Sequence, residues 1–268
     1  MNMTKLRCLP CVAMVVLVAT FTATPALSQE EKPFEPVPGQ AGKDVVWVPT
    51  PPELVELMLD MAKVTPQDFV MDLGSGDGRN IIAAAKRGAR AVGVEFNPKM
   101  VELSSRLAKE AGVADKATFV EGDMYVADIS KASVMALFLL PQNMKTLLPK
   151  FLDLTPGSRI VSNTFGIEGW TPDQTMTIPN CSDWCNALLW IVPAKVEGTW
   201  RLQQGNLMLK QEYQAVSGTL GNTAIADGKL RGREITFKVG NVEYQGRVTG
   251  NTMEGTAGTA RWTATRTP

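Results

Sequence analysis

Between residues 45 and 170 the sequence alternates short apolar runs with longer amphipathic runs. The prolines of VVWVPTPP favour extended backbone, and the apolar residues of ELVELMLDMAKV then recur at helical spacing, so we predict that a helix begins near Pro52. It is followed by apolar runs typical of buried strands, which are FVMDL, ARAVGVEF, ATFVEGD, SVMALFLL and SRIVSNTF. Because amphipathic stretches separate these runs, the pattern predicts an α/β fold with a Rossmann-like, doubly wound, mostly parallel sheet.

The helical periodicity stops after Thr171, and the rest of the chain has an all-β pattern. We predict a strand in NALLWIVPAKVEGTWRL, which leads into a Gly- and Thr-rich tail with alternating apolar positions. Turn residues at near-regular spacing in the tail predict a small antiparallel β meander or barrel. The chain therefore divides into an α/β domain at residues 45–197 and a small all-β domain at residues 198–268. Trp200 and Trp262 are predicted to fill the core of the small domain, and stacking on a ligand is the alternative.

The first 44 residues have a different composition. Lys5 and Arg7 precede the apolar run CLPCVAMVVLVATFTA and the small residues ALS, which is the arrangement of a signal peptide. We predict a signal peptide at residues 1–28, with an uncleaved membrane anchor as the alternative. Residues 29–44, rich in Pro, Gly and charge, are predicted to be a mobile linker. The protein is accordingly expected to be exported to the periplasm or cell envelope.

Cysteine usage also bears on the compartment. Removal of the signal peptide would leave Cys181 and Cys185, in CSDWC, as the remaining cysteines. In an oxidising compartment they either form a local disulfide or stay unpaired, because a bridge across three intervening residues needs a tight turn. The sequence contains no histidine, so neither a metal site nor imidazole catalysis is expected.

The charges of the chain balance, with 27 Lys+Arg and 27 Asp+Glu residues and a formal net charge of zero. No overall field would therefore hold the protein on nucleic acid or on an anionic membrane. We expect no nucleic-acid partner, and membrane association only through an uncleaved N-terminal segment.

A glycine-rich loop, MDLGSGDGRN, follows the first predicted strand at residues 71–80. A phosphate-binding P-loop requires Gly-Lys-Ser/Thr, but here Gly78 is followed by Arg79. A dinucleotide-binding fingerprint requires G-x-G-x-x-G, whereas Gly74, Gly76 and Gly78 give G-x-G-x-G. The loop therefore lacks the spacing of either phosphate-binding motif.

Acidic residues stand at the ends of the first three predicted strands. Asp72 and Asp77 flank the first two glycines and would repel a pyrophosphate, so a cationic ligand is favoured. Glu95 ends the second strand in AVGVEFN, and Asp123 follows the third in FVEGDM. The glycine loop preceded by Asp72, together with Glu95, resembles motifs I and II of class I S-adenosylmethionine-dependent methyltransferases.

That resemblance implies S-adenosylmethionine as the cofactor. In the family, the acid before the first glycine lies near the methionine part of the cofactor, and the loop packs against it. The acid that ends the second strand binds the ribose hydroxyls, and the acid after the third strand contacts adenine. The residues of this chain that match these positions or flank them are Asp72, Gly74, Gly76, Asp77, Glu95 and Asp123.

Residues 45 to about 170 are more specifically similar to a family of protein-lysine methyltransferases. Its mitochondrial members modify an ATP synthase membrane subunit and an adenine nucleotide carrier, and the VPTP segment and the DLGSGDGR loop carry most of the likeness. In that family the segment before the first helix helps to enclose cofactor and substrate. This points to Val48, Pro49, Thr50 and Pro51, with Thr50 as a further cofactor-binding candidate, and a rigid linker is the alternative.

The acceptor side of the site is expected where the fourth strand ends, in LFLLPQNM. Many amine and amide methyltransferases carry Asp-Pro-Pro-Tyr or Asn-Pro-Pro-Tyr there, but this chain has Leu140, Pro141, Gln142 and Asn143. A side-chain carbonyl of Gln142 or Asn143 could orient an amine, although we predict first that Asn143 caps the following helix. Tyr125 is a candidate for a cation–π wall, with a core or exposed position as the alternative. The candidate catalytic residues are Pro141, Gln142, Asn143 and Tyr125.

The resemblance implies methyl transfer to a protein lysine. A small-molecule amine is the alternative acceptor, and a non-catalytic envelope binding protein on a methyltransferase-like fold is the alternative from another class. The sequence leaves the oligomeric state open.

Overall fold

The structure is a computed structural model that describes residues 34–267 together with Met1. The predicted signal peptide, apart from Met1, lies outside the described residues. Phe34–Pro268 form one compact unit. No helix of the described part is both long enough and apolar enough to span a membrane.

The first part of the unit is a seven-stranded sheet with helices packed on it. Its elements are α1 (Pro52–Met61), β1 (Phe69–Leu73), α2 (Arg79–Lys86), β2 (Arg90–Glu95), α3 (Pro98–Glu110), β3 (Ala117–Glu121), β4 (Val134–Leu137), α4 (Pro141–Leu152), β5 (Arg159–Asn163), β6 (Gln174–Thr177) and β7 (Asn186–Ile191). The strand order is β3-β2-β1-β4-β5-β7-β6, in which β1 to β5 pair in parallel and β6 and β7 are antiparallel additions. The order reverses between β1 and β4, where ligands bind in doubly wound sheets. The predicted fold class is confirmed.

Helix α1 shows why the local pattern was predictive. It begins at Pro52, as the sequence predicts, because proline is pre-organised for the first helical position and its missing N–H is not needed there. The apolar side chains recurring every three or four residues are buried against the sheet, and they include Leu54, Val55, Met58 and Leu59.

The second part is a closed antiparallel barrel in which sequence neighbours pair. Its strands are β8 (Gly198–Leu202), β9 (Gly205–Glu212), β10 (Ala215–Leu220), β11 (Thr223–Arg231), β12 (Glu234–Val239), β13 (Val242–Thr249), β14 (Thr252–Ala257) and β15 (Ala260–Arg266). Trp200 and Trp262 are buried in its core, as predicted. A Cβ atom on Gly246 would lie only 2.5 Å from the Trp262 ring, so glycine makes room for this side chain.

The run predicted as a single strand, NALLWIVPAKVEGTWRL, is divided between β7 and β8, and that prediction was wrong. Pro193 interrupts it, since proline has no N–H to continue a strand ladder. The Gln211 side chain replaces the missing ladder by donating to the carbonyl of Ala194 at 2.9 Å and accepting from the N–H of Val196 at 2.7 Å. The connection between sheet and barrel is therefore fixed by hydrogen bonds.

The segment before α1 also differs from the prediction. The described part of the predicted linker, residues 34–44, is not a free tether. Gly39 donates to the carbonyl of Trp47 at 2.8 Å, and Trp47 donates to that of Gln40 at 2.9 Å, so the chain folds back on itself. We call residues 37–50 the N-terminal strap. A linker prediction based on Pro and Gly content missed that glycine and proline also form tight turns.

Candidate functional site

A cavity of about 170 Å³ lies at the carboxyl ends of the parallel strands. Residues 40–50 of the N-terminal strap line one side of it, and the loop after β1 lines the other. The loops after β2, β3, β4 and β5 contribute the rest, together with Trp184 from the loop between β6 and β7. This is the position that the reversal of strand order predicts for a ligand.

The glycine loop has a conformation that only glycine adopts readily. Gly74, Gly76 and Gly78 all have positive φ, at +69°, +55° and +80°. A Cβ atom on Gly76 would also lie 2.6 Å from Nε1 of Trp47, so the strap approaches the bare backbone of the loop. Gly76 itself donates its N–H to Oε2 of Glu95 at 3.0 Å. The alternating glycines thus allow both the turn and close contact on its two sides.

Asp72 is buried at the wall of the cavity, with 3% of its surface exposed. One carboxylate oxygen accepts a hydrogen bond from Asn80 Nδ2 at 3.0 Å, but the other, Oδ1, has no donor among the described residues. Burial raises the pKa of Asp72 well above its usual range, and the charges of Glu95 and Asp77 raise it further. A cationic group placed beside Oδ1 would offset both effects. The residues present therefore fit a ligand that carries an ammonium group.

Glu95 holds the second predicted acidic position. Its Oε1 accepts from the N–H of Asn97 at 2.9 Å, and its Oε2 accepts from Gly76. Two backbone donors thus fix the carboxylate at the end of β2, where it lines the cavity.

Asp123 lines the cavity after β3 and pairs with the strap. Lys43 Nζ lies 2.5 Å from its Oδ2, and Tyr125 N–H donates to its Oδ1 at 2.8 Å. The hydrogen bond from Lys43 lowers the pKa of Asp123, and the same bond raises the pKa of Lys43. The ion pair links the strap to the third acidic position.

A second contact ties the strap to the glycine loop. Asp77 forms an ion pair with Arg79 at 2.5 Å, and Nη1 of Arg79 donates to the carbonyl of Thr50 at 2.6 Å. The Thr50 hydroxyl accepts from Asn163 Nδ2 at 3.3 Å. Thr50 is thereby held between the glycine loop and the end of β5.

The structure brings all the predicted cofactor-binding residues to this one cavity, which Thr50, Asp72, Gly74, Gly76, Asp77, Glu95 and Asp123 line. Val48 and Pro49 also line it, whereas Pro51 precedes α1 as its N-cap residue and does not. Within the described residues no cluster of side chains has the composition of a metal site.

The predicted acceptor residues are placed differently. Leu140 lines the cavity, but Pro141, Gln142, Asn143 and Tyr125 do not. The prediction that Asn143 caps α4 is wrong, because Leu140 is the N-cap residue and Pro141 occupies the first helical position. The buried Asn143 instead donates from Nδ2 to the Tyr125 hydroxyl at 2.7 Å, which turns both side chains toward each other.

The cavity has an aromatic wall that the sequence analysis missed. Phe138 follows β4, Phe165 follows β5, and Trp184 lies between Cys181 and Cys185. These two cysteines form a disulfide, with their Cα atoms 5.8 Å apart, which decides between the two alternatives left open above. A tryptophan inside a short cysteine-bounded loop was the one local signal that could have found this wall.

Comparison with known proteins gives consistent matches. Residues 72–174 match the family model described as the ANTKMT methyltransferase domain. The chain is 42% identical over 137 residues to a protein-lysine N-methyltransferase of Saccharolobus islandicus, and the match covers 50% of this chain and 85% of the relative. It is 38% identical over 162 residues to the ATP synthase c-subunit lysine N-methyltransferase of Mus musculus, a match that covers 60% of each protein.

Among solved structures, the chain is similar to an RNA methyltransferase from Salinibacter ruber in complex with S-adenosyl-L-homocysteine. The TM-score is 0.52 and the identity 42%, over 56% of this chain and 96% of that one.

Proposed function

Because the chain belongs to the family of S-adenosylmethionine-dependent methyltransferases that contains the protein-lysine N-methyltransferases, we propose that it methylates the side-chain amine of a lysine in a protein. The membership confirms the enzyme class, the fold and the cofactor expected from the sequence. The chain spans only 60% of the mouse enzyme's length. We therefore propose the methyl acceptor from the site of this chain and do not take it over from that enzyme.

The observation that carries the proposal is the set of acids around one cavity. Asp72, Glu95 and Asp123 stand at successive strand ends and line it with the glycine loop. Asp72 would hold the ammonium group of the cofactor with Oδ1, which has no donor within residues 34–267, and Glu95 would bind the ribose hydroxyls. Asp123 would contact the adenine. Its carboxylate is paired with Lys43 of the strap, so Lys43 would either move away or contact the adenine as well.

The site requires little from its side chains beyond position. When bound, S-adenosylmethionine would supply a methyl group on a sulfonium: a lysine that has given its proton to water would use its lone pair to form the N–C bond, and the C–S electron pair would stay on sulfur. Partial desolvation of an incoming lysine amine between the strap and the aromatic wall would lower its pKa, and solvent at the cavity mouth would take its proton. The absence of histidine from the chain is therefore compatible with this chemistry.

Transfer of labelled methyl groups tests the proposal. Purified protein is incubated with labelled S-adenosylmethionine and separately with protein, RNA and small-metabolite fractions of its host cell. We expect label in protein, recovered as methyl-lysine after hydrolysis. Label confined to RNA or to metabolites would overturn the lysine assignment. The RNA arm is included because of the described activity of the Salinibacter ruber relative.

Two variants test whether any observed methyl transfer takes place in the cavity. Asp72→Asn removes the charge beside the predicted ammonium position and should abolish most of the transfer. Asp115→Asn makes the same chemical change at an exposed position outside the cavity and should transfer like the parent protein.

We also propose that the enzyme works outside the cytoplasm, in the periplasm or cell envelope. The Cys181–Cys185 disulfide and the apolar N-terminal run both support this location. Cell fractionation of the natural host with an antibody to the protein tests it, and recovery in the cytoplasmic fraction alone would contradict it.

A further inference from the structure

We propose that Phe138, Phe165 and Trp184 form the acceptor subsite and bind the alkylammonium end of a lysine side chain. The proposal deepens the function proposed above and rests on it. It places the acceptor against residues other than those predicted from the sequence at the start of α4. These residues also differ from the Asp/Asn-Pro-Pro-Tyr motif of many amine methyltransferases.

The three rings form a compact group. Their centroids are 6.0 Å apart for Phe138 and Phe165, 5.5 Å for Phe138 and Trp184, and 5.4 Å for Phe165 and Trp184. The Phe138 and Phe165 rings lie nearly parallel, at 20°, and the Trp184 ring is inclined at 61° to Phe138 and at 54° to Phe165. Such a group presents ring faces from more than one direction, which is how aromatic side chains enclose an ammonium ion.

These rings are not part of the hydrophobic core. None of them belongs to the three buried clusters of the described chain, and Trp184 keeps 37% of its surface exposed. All three line the cavity that also contains the cofactor candidates. Leu139, next to Phe138, reaches the glycine loop, because its Cδ2 would lie 3.5 Å from a Cβ atom on Gly74. The aromatic wall therefore adjoins the loop expected to hold the cofactor.

The charges of the cavity favour a cation. Its acidic residues outnumber its basic ones, and the two basic side chains, Lys43 and Arg79, are both engaged in ion pairs. The acidic lining residues are Asp44, Asp72, Asp77, Glu95 and Asp123. A lysine side chain fits such a site, because its apolar stem can pack on the aromatic rings. Its cationic end is attracted both by the ring faces and by the excess of acidic residues.

The subsite also suits the transfer step. Ring faces attract the protonated lysine more weakly than a carboxylate would, so they can bind it while opposing the loss of its proton to water only weakly. As the amine nitrogen forms its bond to the methyl carbon and the C–S bond breaks, positive charge develops on nitrogen. That charge faces the same rings, which stabilise it. In this chain the rings would therefore serve in place of the Asp/Asn-Pro-Pro-Tyr motif, which is missing after β4.

The disulfide positions the exposed member of the group. Trp184 has φ of +58°, an unfavourable conformation for a residue other than glycine. It lies within the loop closed by Cys181 and Cys185, and Ile178 N–H donates to the Cys185 carbonyl at 3.0 Å at the base of that loop. The cross-link thus holds Trp184 against Phe138 and Phe165 at the cavity.

A binding experiment tests the subsite without turnover. The purified protein is saturated with S-adenosylhomocysteine, and Nα-acetyl-lysine methylamide is titrated by ligand-observed NMR. Nα-acetyl-norleucine methylamide, which lacks the ammonium group but keeps the apolar stem, is the matched probe. We expect the lysine probe to bind about tenfold more tightly than the norleucine probe. Equal binding of the two probes would overturn the proposal.

Variants connect the binding to the rings. Trp184→Leu should lose most of the preference for the lysine probe, whereas Trp184→Phe keeps an aromatic face and should retain most of it. Both should keep the far-UV circular dichroism spectrum and the cooperative thermal unfolding of the parent, which shows that they are folded. An unchanged preference in Trp184→Leu would overturn the proposal.

The outcomes also separate this inference from the proposed function. If methyl-lysine forms in protein but the lysine preference survives Trp184→Leu, the function stands and the subsite is wrong. If no protein is labelled but the preference depends on Trp184, the subsite stands and its acceptor is a small amine.

Discussion

At the scale of single residues, Asp72 carries the strongest chemical signal in the fold. Its carboxyl group is buried at the cavity wall with no basic partner in the described part of the chain, and burial raises its pKa. Such a group is costly to ionise unless a cation binds beside it. The protonation of Asp72 should therefore be linked both to folding and to cofactor binding.

We expect the protein to lose stability as pH rises above the ordinary pKa of a carboxyl group. In that range the folded state binds more protons than the unfolded state, because the folded-state pKa of Asp72 is raised. The loss continues until pH exceeds the raised pKa. Denaturant unfolding at a series of pH values measures it, and Asp72→Asn should flatten the profile. A parent profile already identical to that of Asp72→Asn would contradict this account.

Residues such as Asp72, Glu95 and Asp123 could be predicted from the sequence because each follows an apolar run. The continuous apolar runs locate the buried strands, and parallel strands bring their carboxyl ends to one edge. Phe138, Phe165 and Trp184 could not be found in this way. They come from three loops far apart in the sequence, and only the folded sheet and the disulfide bring them together.

At the scale of elements, the N-terminal strap depends on the glycine loop below it. Trp47 occupies the space that a side chain on Gly76 would need, and Arg79 donates to the carbonyl of Thr50. Composition predicted a mobile linker here, since the tertiary partners of the strap lie at positions that local patterning does not reveal. The strap and the loop therefore form one unit across the cavity.

Gly76→Ala should weaken S-adenosylhomocysteine binding by more than tenfold. With a Cβ atom the positive φ of this residue becomes unfavourable by about 1 kcal/mol. The Cβ atom would also displace Trp47, and with it the strap that lines the cavity. Calorimetric titration measures the affinity. Gly112→Ala is the matched control, because Gly112 has φ of +70° with no atom within 4 Å of the new Cβ. Equal affinities for the two variants would show that the strap contact does not matter.

At the scale of the whole molecule, the sheet and the barrel share a packed junction. Trp170 stacks on Tyr213 with ring centroids 5.5 Å apart, and Gln214 donates to the carbonyl of Thr171 at 2.7 Å. The sequence predicted an α/β part and a β part because the hydrophobic period changes between them. The sequence left a meander and a barrel as alternatives, since closure depends on the registers of all the strands together.

Gln211→Leu should lower the free energy of unfolding by about 1–3 kcal/mol, because it leaves the carbonyl of Ala194 and the N–H of Val196 without their partner. Denaturant titration followed by far-UV circular dichroism measures the change. Gln245→Leu, at an exposed position of β13, is the control and should be close to neutral. A neutral Gln211→Leu would show that the connection is not held by this side chain.

Because a disulfide closes the loop that carries Trp184, the cofactor side and the acceptor side of the site form under different conditions. The glycine loop and its acids are held by backbone geometry, hydrogen bonds and ion pairs, none of which needs a covalent step, so they are complete as soon as the chain has folded. The aromatic wall needs an oxidation step as well. It follows from the proposed subsite that a newly made chain becomes competent for its cofactor before it becomes competent for its acceptor, and that oxidation sets the interval between the two.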